Sequence, residues 1–130
     1  MWTQGRIRYE EGCLRVIIIA GTVEIDPAQR DAALVAGRSL EADTRLQPGC
    51  LDYAWMPDAQ SPETIYVFER WADEESLNAH FQGPYYKGMR ETIGAHGIRG
   101  AKVAKYKIEL SEPVYDSTGT PRADFFTVPS

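Results

Sequence analysis

TIYVFERWADEESLNAHFQGPYYKGM, residues 64–89, passes from strand to helix without a linker. Ile65, Tyr66, Val67 and Phe68 are β-branched or aromatic and follow Pro62, the composition of a strand that packs on at least one face. A period of two puts Ile65, Val67, Glu69 and Trp71 on one side and Tyr66, Phe68 and Arg70 on the other. Asp73 is a good N-cap, and Glu74 and Glu75 fall in the first helical turn, where the helix dipole favours negative charge. The expected order is a strand over Thr64–Trp71, a helix to Gln82, a break at Gly83-Pro84 and a second helical piece carrying Tyr85, Met89 and Ile93. Trp71, His80, Tyr85, Tyr86 and Arg90 lie in or beside this stretch, so the search for a site begins here.

Upstream, LRVIIIAGTVEI (residues 14–25) is a β-branched run whose centre, Val16 to Ala20, is apolar on both faces and needs cover on both. The chain's helices can supply one cover and a second subunit the other. Asp26-Pro27-Ala28-Gln29 reads as a helix start: Asp26 caps, Pro27 fits the first helical position and Gln29 completes a capping box. Ala33, Gly37, Leu40 and Thr44 then recur at helical spacing, with Leu34 and Val35 widening the stripe, which predicts an amphipathic helix of about 18 residues. Pro48-Gly49 stops it, Cys50 to Trp55 alternates as a second strand, and a polar loop returns the chain to the third in an antiparallel hairpin. After Gly94 and Gly97, Ala101 to Leu110 reads as the fourth strand. Ala104, Tyr106, Ile108 and Leu110 share one of its faces; on the other, Lys105 and Lys107 read as a solvated edge.

The order βαββαβ predicts an α+β, ferredoxin-like domain over residues 14–110: a four-stranded antiparallel sheet with its helices on one face. Tyr66 and Phe68 then lie on the uncovered face, and pairing of two copies into a homodimer would hide them. Residues 1–13 form an N-terminal extension in which Arg6 to Tyr9 can pair as a short hairpin arm. Residues 111–130 form a C-terminal extension whose Val114, Tyr115, Phe125, Phe126 and Val128 are too apolar for a purely disordered tail; it is expected to lie across the partner subunit.

Composition excludes several classes. Lys and Arg total 14 against 19 Asp and Glu, a net charge of -5 with no basic run, so nucleic acid is not an expected partner. The longest apolar run spans five residues, far short of a membrane span, and residues 1–14 lack the apolar centre of a signal peptide; the cytoplasm is the expected location. Cys13 and Cys50 lie far apart without ligands at metal spacing and read as reduced thiols, so no metal site is expected. His96, beside two glycines, reads as a surface loop residue.

Pro48-Gly49-Cys50 with Tyr53, Glu69 with Trp71, Ala79-His80-Phe81 and Gly83-Pro84-Tyr85-Tyr86 occur here in the order in which they occur in the antibiotic biosynthesis monooxygenase family, which this chain resembles over about residues 16–108. The resemblance implies a dimeric α/β barrel. It also implies oxidation of an electron-rich aromatic, a hydroquinone, anthrone or polyketide-like phenol, with molecular oxygen as co-substrate and no flavin, metal or other cofactor. Trp71, His80 and Arg90 are the catalytic candidates, and Tyr53, Val67, Glu69, Phe81, Tyr85, Tyr86 and Met89 the candidates for contacting substrate. The anthraquinone-forming members carry an Asn and an aromatic hydroxyl where this chain has Val67 and Leu77; the haem-degrading members carry a Trp and a His where it has His80 and Arg90, which disfavours haem.

The residues themselves leave their roles open. Trp71 can donate an indole N–H to a substrate or simply fill the gap between sheet and helix; His80 can accept a proton or serve only to hydrogen-bond Glu69, a carboxylate that is costly on the helix-facing side. Tyr53 and Trp55 share a face and are either core or cavity lining, and of the adjacent Tyr85 and Tyr86 only one is expected to line a cavity. A monooxygenase, a non-catalytic small-molecule-binding module, and a cyclase, lyase or isomerase on the same fold all remain compatible with the sequence.

Overall fold

A computed structural model describes residues 15–128; the expected Arg6 to Tyr9 arm and Cys13 lie outside them. The chain runs β1 (Ile17–Ile25), α1 (Arg30–Arg45), β2 (Cys50–Pro57), β3 (Thr64–Trp71), α2 (Glu74–Gln82), α3 (Pro84–Gly94) and β4 (Ile98–Lys107). The strands form one antiparallel sheet in the order β2-β3-β1-β4, the ferredoxin-like arrangement, and its second helical segment is divided in two. The division is where Gly83 and Pro84 put it: Gly83 ends α2 in extended backbone, and Pro84 occupies the first turn of α3, where a missing N–H costs nothing. Asp73 caps α2 by accepting from Ser76 N at 2.8 Å in a reciprocal capping box.

The pairing register sorts the sheet into cross-strand rows. Cys50, Trp71, Ile17 and Lys107 form one row; Tyr53, Glu69, Ile19 and Lys105 the next; Trp55, Val67, Gly21 and Val103 a third. Because residues directly opposite one another point to the same side, all three rows face the helices. The core lies there, with Ile17, Ile19, Val23, Ile25, Ile65, Val67 and Trp71 packed against Ala33, Leu77, Met89 and Ile93. On the opposite face Tyr66, Met56 and Tyr106 are exposed, and Ile18, Ala20 and Phe68 are only half-buried. β1 is thus covered on one side by its own chain and incompletely on the other.

Three local expectations shift. α1 begins at Arg30 because Asp26 spends its carboxylate within a turn, accepting from Ala28 N at 2.9 Å and Gln29 Nε2 at 3.3 Å; Gln29, at the N-cap, makes no side-chain cap. Val35 does not join the buried stripe and is 59 % exposed. β4 begins three residues earlier than the sequence suggests, because Gly97, at φ 79°, turns the chain so that Ile98 pairs with Ile25. Within residues 111–128, separately, Glu112 accepts from Phe126 N and Thr127 N and Arg122 pairs with Asp124, while Val114, Phe125 and Val128 are exposed in the single chain.

β4 leaves no room for a side chain at Gly21 of β1, where a Cβ would collide with the Lys102 carbonyl oxygen and lie 2.7 Å from Val103 Cα. Both obstacles are backbone and cannot rotate away. Gly21→Ala is therefore expected to lower stability by at least about 2 kcal/mol, read as a fall in the urea midpoint at unchanged slope. A midpoint equal to that of the unsubstituted chain would show that the two strands can separate at no cost.

Candidate active site

Between the helix-facing rows and α3 lies a cavity of about 720 Å³. Its floor is Ile19, Val23, Val67 and Glu69; β2 contributes Tyr53 and Trp55 as one wall; Phe81, Tyr86, Met89 and Ile93 form the roof. The remaining side is made by Ile98, Ala101, Val103 and Lys105 of β4, a strand exposed along its whole length, and the cavity opens there. An enclosure of this size with a mostly apolar lining and a few polar groups suits a small aromatic molecule.

Its one buried acid is Glu69, 7 % exposed. Trp71 lies two residues further along the same face and donates its Nε1–H to Glu69 Oε1 at 2.9 Å. Among the described residues no cation pairs with this carboxylate. Burial accordingly drives the Glu69 pKa up to about 7, and the Trp71 bond offsets only part of that rise. Nearby, the Trp55 indole N–H leans toward the Tyr53 hydroxyl but finds no acceptor at hydrogen-bonding geometry among the described residues. Glu69 is therefore left at the cavity with unused accepting capacity.

Of the sequence candidates, Tyr53, Val67, Glu69, Phe81, Tyr86, Met89 and Arg90 line this space, whereas Trp71, His80 and Tyr85 do not. Trp71 stands behind Glu69, its N–H already engaged. His80, 1 % exposed, stacks on the Trp71 ring at 4.6 Å and bonds Gln47 Oε1 through Nδ1 at 2.7 Å, so its partner is Gln47 and not Glu69. Accepting amide oxygen makes Nδ1 the protonated nitrogen, and burial lowers the His80 pKa to about 4, leaving the ring neutral near pH 7. Arg90 donates to the Tyr86 hydroxyl at 3.2 Å. The sequence reading did not single out Ile19, Val103 or Lys105 as lining; only the strand register brings them beside Glu69. Among the described residues no group of His, Cys, Asp and Glu is arranged to hold a metal ion, and no helix is long and apolar enough to cross a membrane.

A buried carboxyl with a raised pKa has a definite signature. Between pH 4.5, its ordinary value, and about 7, the folded state keeps a proton that the unfolded state releases, so Glu69 removes stability as pH rises through that window. Glu69→Gln is neutral throughout. Relative to the unsubstituted chain, the variant is expected to gain up to about 1.4 kcal/mol per pH unit across the window, measured by denaturant unfolding at several pH values. A difference that does not change with pH would show that Glu69 titrates normally.

Residues 16–92 match the family described as antibiotic biosynthesis monooxygenase. An uncharacterized protein of Synechocystis is 26 % identical over 92 residues, a match spanning 71 % of this chain and 63 % of that protein's length. Among solved structures, a conserved protein from Methanosarcina mazei shares the fold at TM-score 0.67 and 21 % identity, covering 74 % of this chain and 95 % of the other. An antibiotic biosynthesis monooxygenase superposes at TM-score 0.63 and 27 % identity, covering 72 % and 97 %. The matched residues take in every element of the cavity except β4, and with that match this chain belongs to the antibiotic biosynthesis monooxygenase family.

Proposed function

We propose that this protein is a monooxygenase that oxidises an electron-rich hydroxyaromatic, of hydroquinone or anthrone type, with molecular oxygen. The observation that carries the reading is the Glu69 carboxyl on the floor of an aromatic-lined cavity, without a counter-charge among the described residues and poised near pH 7. Oxygen in its triplet ground state reacts slowly with closed-shell molecules, and deprotonating a phenol or enol raises its electron-donating power. Glu69 serves as the general base, and the dry lining strengthens every charge interaction made during the step. The deprotonated substrate passes one electron to oxygen, and the resulting radical and superoxide combine into a hydroperoxide. Glu69 returns its proton to the peroxide oxygen, then takes the remaining C–H proton as the O–O bond breaks and hands it to the departing hydroxide, so that the carbon becomes a carbonyl, one oxygen atom stays in the product and the other leaves as water. The substrate supplies all the electrons, so no flavin, metal or haem enters the reaction as proposed.

Trp71 is then a positioning residue. It holds Glu69 Oε1 and, through the stack with His80 and the His80–Gln47 bond, is itself fixed in the core. Arg90 and Tyr86 close the roof over the reacting ring. Two copies joined through the exposed Tyr66 and Tyr106 faces complete the cover that β1 lacks.

Oxygen uptake with a panel of hydroquinones and anthrones, measured above autoxidation, tests the chemistry. Uptake is expected to rise with pH about a midpoint near 7, and Glu69→Gln to lower kcat by about 100-fold or more and abolish that dependence. Trp71→Phe removes a hydrogen bond that favours the charged carboxylate, so the midpoint is expected to move to higher pH while activity falls. Uptake in Glu69→Gln equal to that of the unsubstituted protein would contradict the assignment; tight binding of the panel without any uptake would make the protein a ligand-binding module instead. Separately, light scattering is expected to report a dimer that Tyr66→Asp with Phe68→Asp converts to a monomer.

A further inference from the structure

The cavity's two ends differ in charge, and the sheet register fixes the span between them. Glu69 and Lys105 occupy one row on the helix-facing side, with Ile19 between them. Two strand spacings separate their backbones by about 9–10 Å. Glu69 is buried, whereas Lys105 is exposed at the β4 side of the same cavity and Arg90 is exposed at its roof. Among the described residues neither cation has a salt-bridge partner; Arg90 donates a hydrogen bond to the Tyr86 hydroxyl, and Glu74, in the adjoining recess that Lys105 also lines, lies beyond ion-pair distance of it. Nor does either cation contribute to the Glu69 shift, which burial and Trp71 account for. The molecule thus holds an acceptor at the closed end, an apolar floor of Ile19 and Val67, and two cations without an ion-pair partner among the described residues, Lys105 at the open side and Arg90 at the roof.

We propose that the ligand class is a fused hydroxyaromatic acid: a hydroxyl donating to Glu69, the ring system lying over Ile19 beneath Tyr86 and Met89, and a carboxylate at the far end between Arg90 and Lys105. This rests on the reading that the cavity is the substrate site, and it adds polarity and orientation to that reading. The carboxylate end remains at the solvent boundary, where one charged group meets two opposite charges without full desolvation. Turned end for end, the ligand would bring its carboxylate against Glu69, two like charges in a buried site, so the arrangement selects one orientation. Of the two cations, Arg90 lies within residues 16–92, which match the family, and Lys105 lies beyond them on β4.

Anaerobic titration calorimetry at pH 7 with three probes tests the inference: a hydroxynaphthoic acid with its two groups at opposite ends, the corresponding naphthol, and the naphthoic acid lacking the hydroxyl. The hydroxy acid is expected to bind at least about tenfold more tightly than the naphthol, an advantage that shrinks with added salt. Arg90→Gln with Lys105→Gln, both at exposed positions and checked for an unchanged circular dichroism spectrum, is expected to erase that advantage, read as the ratio of hydroxy-acid to naphthol affinity. Equal binding of acid and naphthol, an advantage that survives the double substitution, or no binding by any probe would overturn the inference. Because oxygen is absent, the result stands apart from the proposed chemistry. A selective, charge-dependent fit in a protein that never consumes oxygen would sustain the ligand class and sink the monooxygenase; oxygen uptake with no preference for the acid would do the reverse.

Discussion

The Trp71 Nε1–H to Glu69 Oε1 bond, 2.9 Å long and closed to solvent, is the interaction on which the rest of the site depends. A carboxylate facing the helices of a ferredoxin-like sheet has no structural reason to be there, since an apolar residue would pack at lower cost. Here it is retained with a single donor and no counter-charge among the described residues, and the consequence is a proton affinity near neutrality. The surroundings hold that state in place. Trp71 is wedged by His80, His80 is anchored by Gln47, and Gln47 lies in the turn completed by Gly49, whose φ of 83° and contact with the Ser76 side chain leave no room for a Cβ.

The fold makes the cavity through an imbalance. Helices cover β2, β3 and β1, but β4 extends past them with every residue exposed, so the helix-facing rows continue beyond their roof. Where roof and floor part, an apolar space opens with Glu69 at its closed end and Lys105 at its rim. Gly21 contributes by allowing β4 to approach β1 closely, which carries Val103 and Lys105 to the cavity. The same asymmetry leaves the opposite face of the sheet with exposed aromatic side chains.

Much of this was legible in the sequence because it is local. The alternation over Thr64–Trp71, the Asp73 cap and the Gly83-Pro84 break each depend on neighbours within a few residues, and each lies where expected. Asp26 misled because a turn and a helix cap use the same carboxylate chemistry; which one forms depends on where Gly97 brings the end of β1 against β4. Glu69 stood out as an acid on an apolar face, but its partner was not readable: His80 and Trp71 were both within reach, and packing sends His80 to Gln47. Lys105 could not be recognised at all, since only the pairing of β1 with β3 and β4 places it in the row of Glu69.

The claim that this site is organised around an ionisable acid can be measured without knowing the substrate. In protein labelled with 13C at glutamate carboxyls, the Glu69 resonance, identified by its disappearance in Glu69→Gln, is followed from acid to alkaline pH. The account predicts a titration midpoint near 7. A midpoint near the ordinary 4.5 would contradict it, because the carboxylate would then be solvated or paired and the cavity would contain no proton acceptor matched to neutral pH.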